Sequence, residues 1–202
     1  MRPKRAMSSF DLRAEVAEMA GLEGARFQKA FEPVPGAFLL RLHLAGEGRA
    51  NVLAQAGRFV LVTARDVPTP SSPGHFPALL RKHLDNAPLA SVTQKGFDRV
   101  VTFTFGRDPG IDLVFELFGK GNAALVREGR ILGVHHSETW KDRTLKGGAD
   151  YSYPAARVDP TSLDLAGFRA SFGGGLDVVR ALALWTNLGG TYAEEVCARA
   201  GI

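Results

Sequence analysis

The spacing of apolar residues at the start of the chain is helical. Leu12, Val16 and Met19 recur at intervals of four and three residues, which places them on one face of a helix. Ser8 is followed three residues later by Asp11, and a serine and an acid at this spacing are typical of a helix N-terminus. The pattern therefore predicts a helix that begins near Ser8 and extends to the next glycine.

From residue 25 to about residue 135 the pattern is mostly that of β-strands. Apolar side chains alternate along 38–44 and along 100–105, and further short apolar runs occupy 58–63, 111–118 and 123–127. Glycine-bearing turns separate these runs, and short strands at this spacing predict a sandwich or a barrel. The strand pattern is interrupted by a proline-rich loop and then by a predicted helix over 75–85, with Arg81 and Lys82 on its polar face.

The last third of the chain has a different pattern. Residues 136–160 show no firm period and predict a long connection, whereas 176–187 and 192–200 have helical spacing. The break at Leu188-Gly189-Gly190 makes the two helices a helix-hairpin-helix candidate, and an ordinary antiparallel helix pair fits the same pattern. Because the chain stops directly after this hairpin, we expect it to be part of a longer protein.

These elements predict an α+β protein. Residues 1–6 are expected to form a flexible basic extension, and 7–155 a β-rich, sandwich-like domain. A linker and the helix-hairpin-helix segment are expected over 156–202.

Composition narrows the class of protein. With 45% hydrophobic and 23% charged residues the chain is neither a disordered tail, a collagen nor a coiled-coil rod. A single cysteine, Cys197, excludes an internal disulfide and a thiolate zinc cage, which favours a reducing compartment. No apolar run approaches the roughly 20 residues of a membrane span, and the first residues do not form a secretory signal. We therefore expect a cytoplasmic protein that does not associate with membranes.

The net charge of +4 and a sequence pI near 9.5 invite a nucleic-acid interpretation. Arg2, Lys4 and Arg5 account for most of that excess, and without them the rest of the chain carries about +1. The total charge alone therefore supports no functional conclusion.

Metal and phosphate motifs are weak in this sequence. His135 and His136 with Glu138 lack the helical spacing of a zinc pair. His75 and His83 lie two helical turns apart, about 12 Å along the axis, which is too far to share one ion. The glycines around Lys120 match neither phosphate-loop motif, so a tight turn between strands is the better interpretation.

Catalytic signatures are equally weak. The sequence has no G-x-S-x-G elbow, and Cys197 in a helical stripe is expected to be a small core residue. We predict no metal, no cofactor and no catalytic residue.

The run Gly96-Phe97-Asp98-Arg99 is more informative. It places an acid beside a base where a glycine turn leads into a strand, and alternation directs adjacent side chains to opposite faces. A solvated strand end would give the same pattern, so this run does not by itself define a binding site.

Six short sequence blocks, taken together in their order and spacing, give the chain a resemblance to a known protein family, although no single block is decisive. They are Ser8-Ser9-Phe10-Asp11-Leu12, Phe38-Leu39-Leu40-Arg41-Leu42-His43, Pro77-Ala78-Leu79-Leu80-Arg81-Lys82-His83-Leu84, Gln94-Lys95-Gly96-Phe97-Asp98-Arg99-Val100-Val101, Glu116-Leu117-Phe118-Gly119-Lys120-Gly121-Asn122 and Leu188-Gly189-Gly190-Thr191-Tyr192-Ala193-Glu194-Glu195. With them the chain resembles the N-terminal part of the NFACT family, the tailing factors of ribosome-associated quality control, in its archaeal form.

The resemblance implies a fold and a function. The fold would be similar to the N-terminal domain of formamidopyrimidine-DNA glycosylases, followed by a helix-hairpin-helix module. Longer members of the family continue into a coiled coil and a second RNA-binding domain. The family binds the large ribosomal subunit that holds peptidyl-tRNA after a stalled ribosome splits. It recruits tRNA, typically alanyl-tRNA, for template-free C-terminal tailing of the nascent chain. Because the peptide bond forms in the ribosome, the resemblance implies a tRNA- and rRNA-binding factor and not an enzyme.

The resemblance also implies site residues. Asp98 and Arg99 match the acid–arginine pair that the family uses in tRNA engagement, and Asp11 matches a second acidic position. An arginine can pair bidentately with phosphate or with a guanine edge, whereas carboxylates would accept hydrogen bonds from 2′-hydroxyl or base N–H groups. Arg81 and Lys82 are further candidates for RNA backbone contacts, with a solvated helix face as the alternative.

Two other functions compete with this one. A DNA glycosylase would share the implied fold, but those enzymes use an N-terminal proline amine with an adjacent glutamate. Here Pro3 lies behind Met1 and Arg2 and is followed by Lys4. A fibronectin-binding surface protein is suggested by the label of bacterial relatives, yet the sequence shows neither an export signal nor a disulfide framework. We therefore favour the ribosome-associated function.

Overall fold

A computed structural model of the chain describes residues 6–155, 157–170, 172 and 175–202. These residues divide into two compact units. The first unit contains the described residues up to Lys95 together with Arg99–Ser152, and the second contains Gly96–Asp98 and the described residues from Tyr153 to Ile202. Apart from Ala6, the basic extension predicted over 1–6 lies outside the described residues. The domain assignments 7–155 and 156–202 stay predictions.

The first unit is built on two antiparallel sheets. The four-stranded sheet has the order β1 (Arg26–Phe31), β2 (Ala37–Leu44), β3 (Gly48–Gln55) and β4 (Phe59–Val62). The five-stranded sheet has the order β5 (Leu89–Gln94), β6 (Val100–Phe105), β7 (Ile111–Glu116), β8 (Asn122–Arg127) and β9 (Arg130–Val134). Within each sheet, strands that follow one another in sequence pair side by side, as short hairpin connections require.

Two helices flank the sheets of the first unit. Helix α1 (Ser9–Met19), extended by a 3₁₀ turn at Ala20–Leu22, packs against β4 and β5, which are edge strands of different sheets. Helix α2 (His75–Leu84) packs against β1 and β9, the other two edge strands. The helices thus cover strand edges that would otherwise be open to pairing with other chains.

An apolar core is shared by both sheets and both helices. The ring centroid of Phe38 on β2 lies 5.4 Å from that of Phe76 on α2 and 5.9 Å from that of Phe115 on β7. Each of these rings is buried, and burial of such a side chain stabilises the fold by about 1.5–3 kcal/mol. The predicted α+β class is confirmed, with the core lying between the two sheets.

Among its described residues, the second unit has the helices α3 (Leu165–Ala170), α4 (Val178–Trp185) and α5 (Gly190–Ala200). Helices α4 and α5 pack through Leu182, Ala193 and Cys197, so the cysteine is a buried core residue. The helix-hairpin-helix assignment and the likeness to a DNA glycosylase domain stay predictions. None of the helices within the described residues has the length and apolar content needed to cross a membrane.

The connection predicted over 136–160 contains regular structure that the sequence did not indicate. A two-stranded antiparallel ribbon forms from β10 (Glu138–Thr139) and β11 (Thr144–Leu145). A strand of two residues is too short to show repeated alternation of apolar and polar positions, which is why the pattern indicated no structure there.

Candidate RNA-binding site

The turn between β5 and β6 carries two of the predicted site residues. The N–H of Lys95 donates to the carbonyl of Val100 over 3.0 Å and closes the turn. The carbonyl of Arg99 accepts from the N–H of Leu117 over 2.8 Å, which ties the start of β6 to the end of β7. Gly96 has a φ of +54°, a conformation that glycine adopts without steric cost. Asp98 and Arg99 are both half-buried in this turn.

Within the second unit, the backbone beside Asp98 is fixed from two sides. Phe97 is only 1% exposed, so its ring anchors the segment Gly96–Asp98. The side-chain amide of Asn187 donates to the carbonyl of Phe97 over 3.0 Å. Asn187 lies in the turn between α4 and α5 with a φ of +58°, in the left-handed region that asparagine tolerates.

Asn187 holds the backbone carbonyl of Phe97, a contact that sequence reasoning missed. Its only sequence signal is its place directly before the Leu188-Gly189-Gly190 break, where a residue in left-handed conformation is common. Its partner, the Phe97 carbonyl, lies ninety residues earlier in the chain, and no local pattern links the two positions.

Asp11 occupies the first turn of α1. Its carboxylate accepts from the backbone N–H of Ser8 over 2.6 Å and from the Ser8 hydroxyl over 2.7 Å. The Asp11 N–H in turn donates to the Ser8 hydroxyl over 3.2 Å, which completes a capping box. The helix start predicted from Ser8 and Asp11 is therefore present, and Asp11 has a local structural role.

The start of α1 and the end of β5 lie side by side in the first unit. The side-chain amide of Gln94, the last residue of β5, donates to the carbonyl of Ser9 over 3.0 Å. The helix turn that carries Asp11 is thereby held next to the strand that leads into the turn before Arg99. Two of the predicted site residues, Asp11 and Arg99, thus belong to the same end of the first unit.

Arg81 and Lys82 lie near the C-terminal end of α2, and their environments differ. The Nε of Arg81 donates to the carbonyl of Ala30 over 2.9 Å, and its guanidinium lies over the ring of Phe31, 4.6 Å from the centroid. Lys82 is exposed. Burial lowers the pKa of the neighbouring His83, and the positive charges of Lys82 and Arg127 lower it further. Lys82 and Arg127 therefore raise the positive potential at His83.

His135 and His136 each lie next to the carboxylate of a glutamate. His135 Nδ1 lies 3.7 Å from Glu32 Oε1, and His136 Nε2 lies 3.2 Å from Glu138 Oε1. Burial lowers the pKa of His135 despite the opposing effect of Glu32, and His136 lowers it further. Within the part of the chain that the structure describes, no group of three or more His, Cys, Asp or Glu side chains is placed to hold a metal ion.

The glycine-rich segment 119–122 is a turn between β7 and β8, the interpretation favoured from the sequence. The N–H of Gly121 donates to the carbonyl of Phe118 over 2.8 Å. A Cβ added at Gly121 would overlap the backbone of Ala56 and Gly57, so the turn packs directly against the β3–β4 hairpin. The segment therefore serves packing between the two sheets.

Next to this turn lies a buried ion pair. Both oxygens of Glu116, which is 3% exposed, accept from the guanidinium of Arg143, and Tyr151 donates its hydroxyl to Glu116 over 3.0 Å. Burial disfavours the charged form of Arg143, but its contacts with Glu116 and Tyr151 more than compensate and raise its pKa. The pair anchors the long connection to the five-stranded sheet.

Comparison with protein families gives a match over nearly the whole chain. The profile described as "NFACT N-terminal and middle domains" matches residues 8–202. The "Archaeal Rqc2 homolog aRqcH" of Methanocaldococcus jannaschii is 32% identical over 98% of this chain and 32% of its own length. The "Ribosome quality control complex subunit NEMF" of Mus musculus is 32% identical over 75% of this chain and 14% of its own length. The chain thus spans about a third or less of these relatives.

Solved structures share the fold at lower identity. The N-terminal domain of the fibronectin-binding protein PavA from Streptococcus pneumoniae has a TM-score of 0.79 at 21% identity, over 95% of this chain and 80% of that one. The N-terminal part of the fibronectin/fibrinogen-binding protein from Streptococcus suis has a TM-score of 0.76 at 22% identity, over 90% and 74% of the two chains. At this level of identity the similarity establishes the architecture alone.

Proposed function

The chain belongs to the NFACT family, and from that membership we propose that it acts in ribosome quality control by binding tRNA and the large ribosomal subunit. The subunit would be one that still carries peptidyl-tRNA after a stalled ribosome has split. The names of the archaeal and mouse relatives support the process, and the tRNA-binding role is our inference from the site.

The observation that carries this proposal is the way the turn before β6 is held. In the first unit, the Lys95–Val100 and Arg99–Leu117 hydrogen bonds fix the backbone at Lys95 and Arg99. In the second unit, the bond from Asn187 fixes the carbonyl of Phe97. A recognition site needs side chains whose positions are set before the ligand arrives, because ordering them on binding costs free energy. Asp98 and Arg99 are carried on such a prearranged backbone.

The residue types of the turn suit RNA recognition. Arg99 would supply affinity through a bidentate contact with phosphate or a guanine edge. Asp98 and Asp11 would repel phosphate, so their role would be to accept hydrogen bonds from 2′-hydroxyl or base N–H groups, which supplies selectivity. This division of roles explains how a site that combines acidic and basic side chains can bind RNA.

We further infer that the chain contributes binding and not catalysis. In this account alanyl-tRNA is the preferred tRNA, and peptide bonds of the template-free C-terminal tail form in the ribosome. The rival glycosylase chemistry would depend on Pro3, which lies outside the described residues. The similarity to fibronectin-binding proteins concerns the fold and gives no argument for adhesion.

The test is tRNA binding by the double variant Asp98→Asn, Arg99→Gln, which removes both charges and keeps both side chains polar. We expect its dissociation constant for deacylated tRNA to rise by about tenfold or more, equivalent to about 1.4 kcal/mol. The matched control is Arg107→Gln, Asp108→Asn, an exposed basic–acidic pair of adjacent residues in the β6–β7 turn, at the other end of β6. The control is expected to bind like the wild type. Unchanged tRNA binding by a folded Asp98/Arg99 variant, or an equal loss in the control, would refute the site.

A further inference from the structure

The outward face of the four-stranded sheet carries an array of basic side chains. Strand register places Arg26 opposite His43 and His43 opposite Arg49, and it places Lys29 opposite Arg41 in the next row. Residues directly opposite each other share a face of the sheet, and the alternate residues of β2 point into the core. We call these five side chains the basic face: Arg26, Lys29, Arg41, His43 and Arg49.

The basic face has one sign of charge. Strands β1 to β4 contain no aspartate or glutamate, whereas β7 in the other sheet contains Asp112 and Glu116. Among the described residues, no carboxylate forms an ion pair with any member of the basic face. Adjacent strands lie about 4.8 Å apart, so the like charges repel one another and favour a polyanionic ligand.

Part of this charge is held in place by stacking. The guanidinium of Arg41 lies over the ring of Phe31 at 4.6 Å from its centroid, and that of Arg81 from α2 lies over the same ring at the same distance. A guanidinium fixed by an aromatic ring loses less conformational entropy when it binds an anion. Phe31 therefore orients two cations at the edge of the face.

The row through Arg41 also keeps polar atoms without partners. Arg41 Nε and Asn51 Oδ1 are buried on β2 and β3, directly opposite each other, and neither has a hydrogen-bond partner among the described residues. Buried polar groups are usually satisfied, and an unmet one costs about 1–3 kcal/mol. This row therefore has buried hydrogen-bonding groups that the described part of the protein leaves unsatisfied.

We propose that the basic face is a second RNA-binding surface that takes the phosphodiester backbone of double-stranded RNA. The basic face goes beyond the tRNA site because it includes neither Asp98 nor Arg99. Only the choice of RNA over DNA as its ligand rests on the proposed function. Of the apolar residues on the same face, Phe31 and Leu39 are buried and Leu53 and Leu61 are half-buried, so the face offers no fully exposed apolar anchor to a membrane or to a protein partner. A backbone of regularly spaced phosphates requires only the cations.

The experiment measures binding of the whole chain to a labelled 20-base-pair RNA duplex across a salt series. The test variant is Lys29→Gln, Arg49→Gln, because both side chains are exposed and their loss leaves the core intact. Each lost phosphate contact should lower the slope of log affinity against log salt by about 0.7–0.9, and affinity at low salt should fall about tenfold or more. The matched control is Arg107→Gln, Lys146→Gln, which removes the same charge from exposed positions outside the four-stranded sheet.

The outcomes separate this proposal from the proposed function. The basic face is supported if Lys29→Gln, Arg49→Gln weakens duplex binding while Asp98→Asn, Arg99→Gln does not. If Lys29→Gln, Arg49→Gln binds the duplex with the affinity and salt slope of the wild type, the proposal is overturned, whatever the tRNA result. An equal loss in the Arg107/Lys146 control would also overturn it, because bulk charge would then explain binding. The proposal is also refuted if Lys29→Gln, Arg49→Gln keeps binding to the duplex and loses binding only to phosphatidylserine vesicles.

Discussion

At the scale of single residues, Asp11 has one role that the structure shows and a second that we propose. Its carboxylate completes the capping box with Ser8, and contact with tRNA is the proposed role. The capping role was predictable because it depends on two residues three positions apart. The proposed RNA role depends on what the side chain faces in a complex, which no spacing encodes.

Substitution of Asp11 separates these roles. Glutamate is the usual acid at the third position of a capping box, so Asp11→Glu is expected to retain the stability of α1, while Asp11→Ala costs about 1 kcal/mol. If Asp11 also contacts tRNA, Asp11→Glu will weaken tRNA binding without changing the urea unfolding midpoint. Equal tRNA affinity of Asp11→Glu and the wild type would restrict Asp11 to capping.

At the scale of elements, the helices were easier to predict than the strands. The apolar stripes of α1, α2, α4 and α5 are visible in the sequence because their spacing repeats within a few turns. Strand β5 was missed because a bulge between Leu89 and Ser91 interrupts its alternation. Strand β3 was missed because two of its inward residues, Ala50 and Ala54, are small and give a weak apolar signal.

The candidate site was likewise predictable only in part. The pair Asp98–Arg99 was found from neighbours in sequence and from the resemblance. Asn187 was not found, because its hydrogen bond to Phe97 spans ninety residues. The stacking of Arg41 and Arg81 on Phe31 could not be predicted either, because it requires the pairing register of β1 and β2 and the docking of α2.

The β7–β8 turn gives a stability prediction at the same scale. Gly119 and Gly121 both have positive φ, but only a Cβ at Gly121 would overlap the Ala56–Gly57 backbone. We expect Gly121→Ala to destabilise the first unit by about 2–4 kcal/mol, from backbone strain and overpacking together. Gly119→Ala is the matched control and should cost about 1 kcal/mol, because it introduces backbone strain without overpacking. Urea unfolding measures both, and equal losses would contradict the packing role of Gly121.

At the scale of the whole molecule, the distribution of charge matters more than its sum. The net charge of +4 owes most of its excess to Arg2, Lys4 and Arg5, which lie outside the described residues. The rest of the chain is nearly neutral, yet strand pairing collects Arg26, Lys29, Arg41 and Arg49 on one face of one sheet. The net charge gives no indication of this face, because the carboxylates that offset its positive charge lie outside strands β1 to β4.

The central claim is that this chain recognises large ribosomal subunits that carry peptidyl-tRNA. The most direct measurement is co-sedimentation of the whole chain with three archaeal preparations: large subunits that hold peptidyl-tRNA, vacant large subunits and intact ribosomes. We predict preferential sedimentation with the peptidyl-tRNA-bearing subunits and a clear loss of it in the Asp98→Asn, Arg99→Gln variant. No sedimentation with those subunits, or equal sedimentation with all three preparations, would contradict the claim.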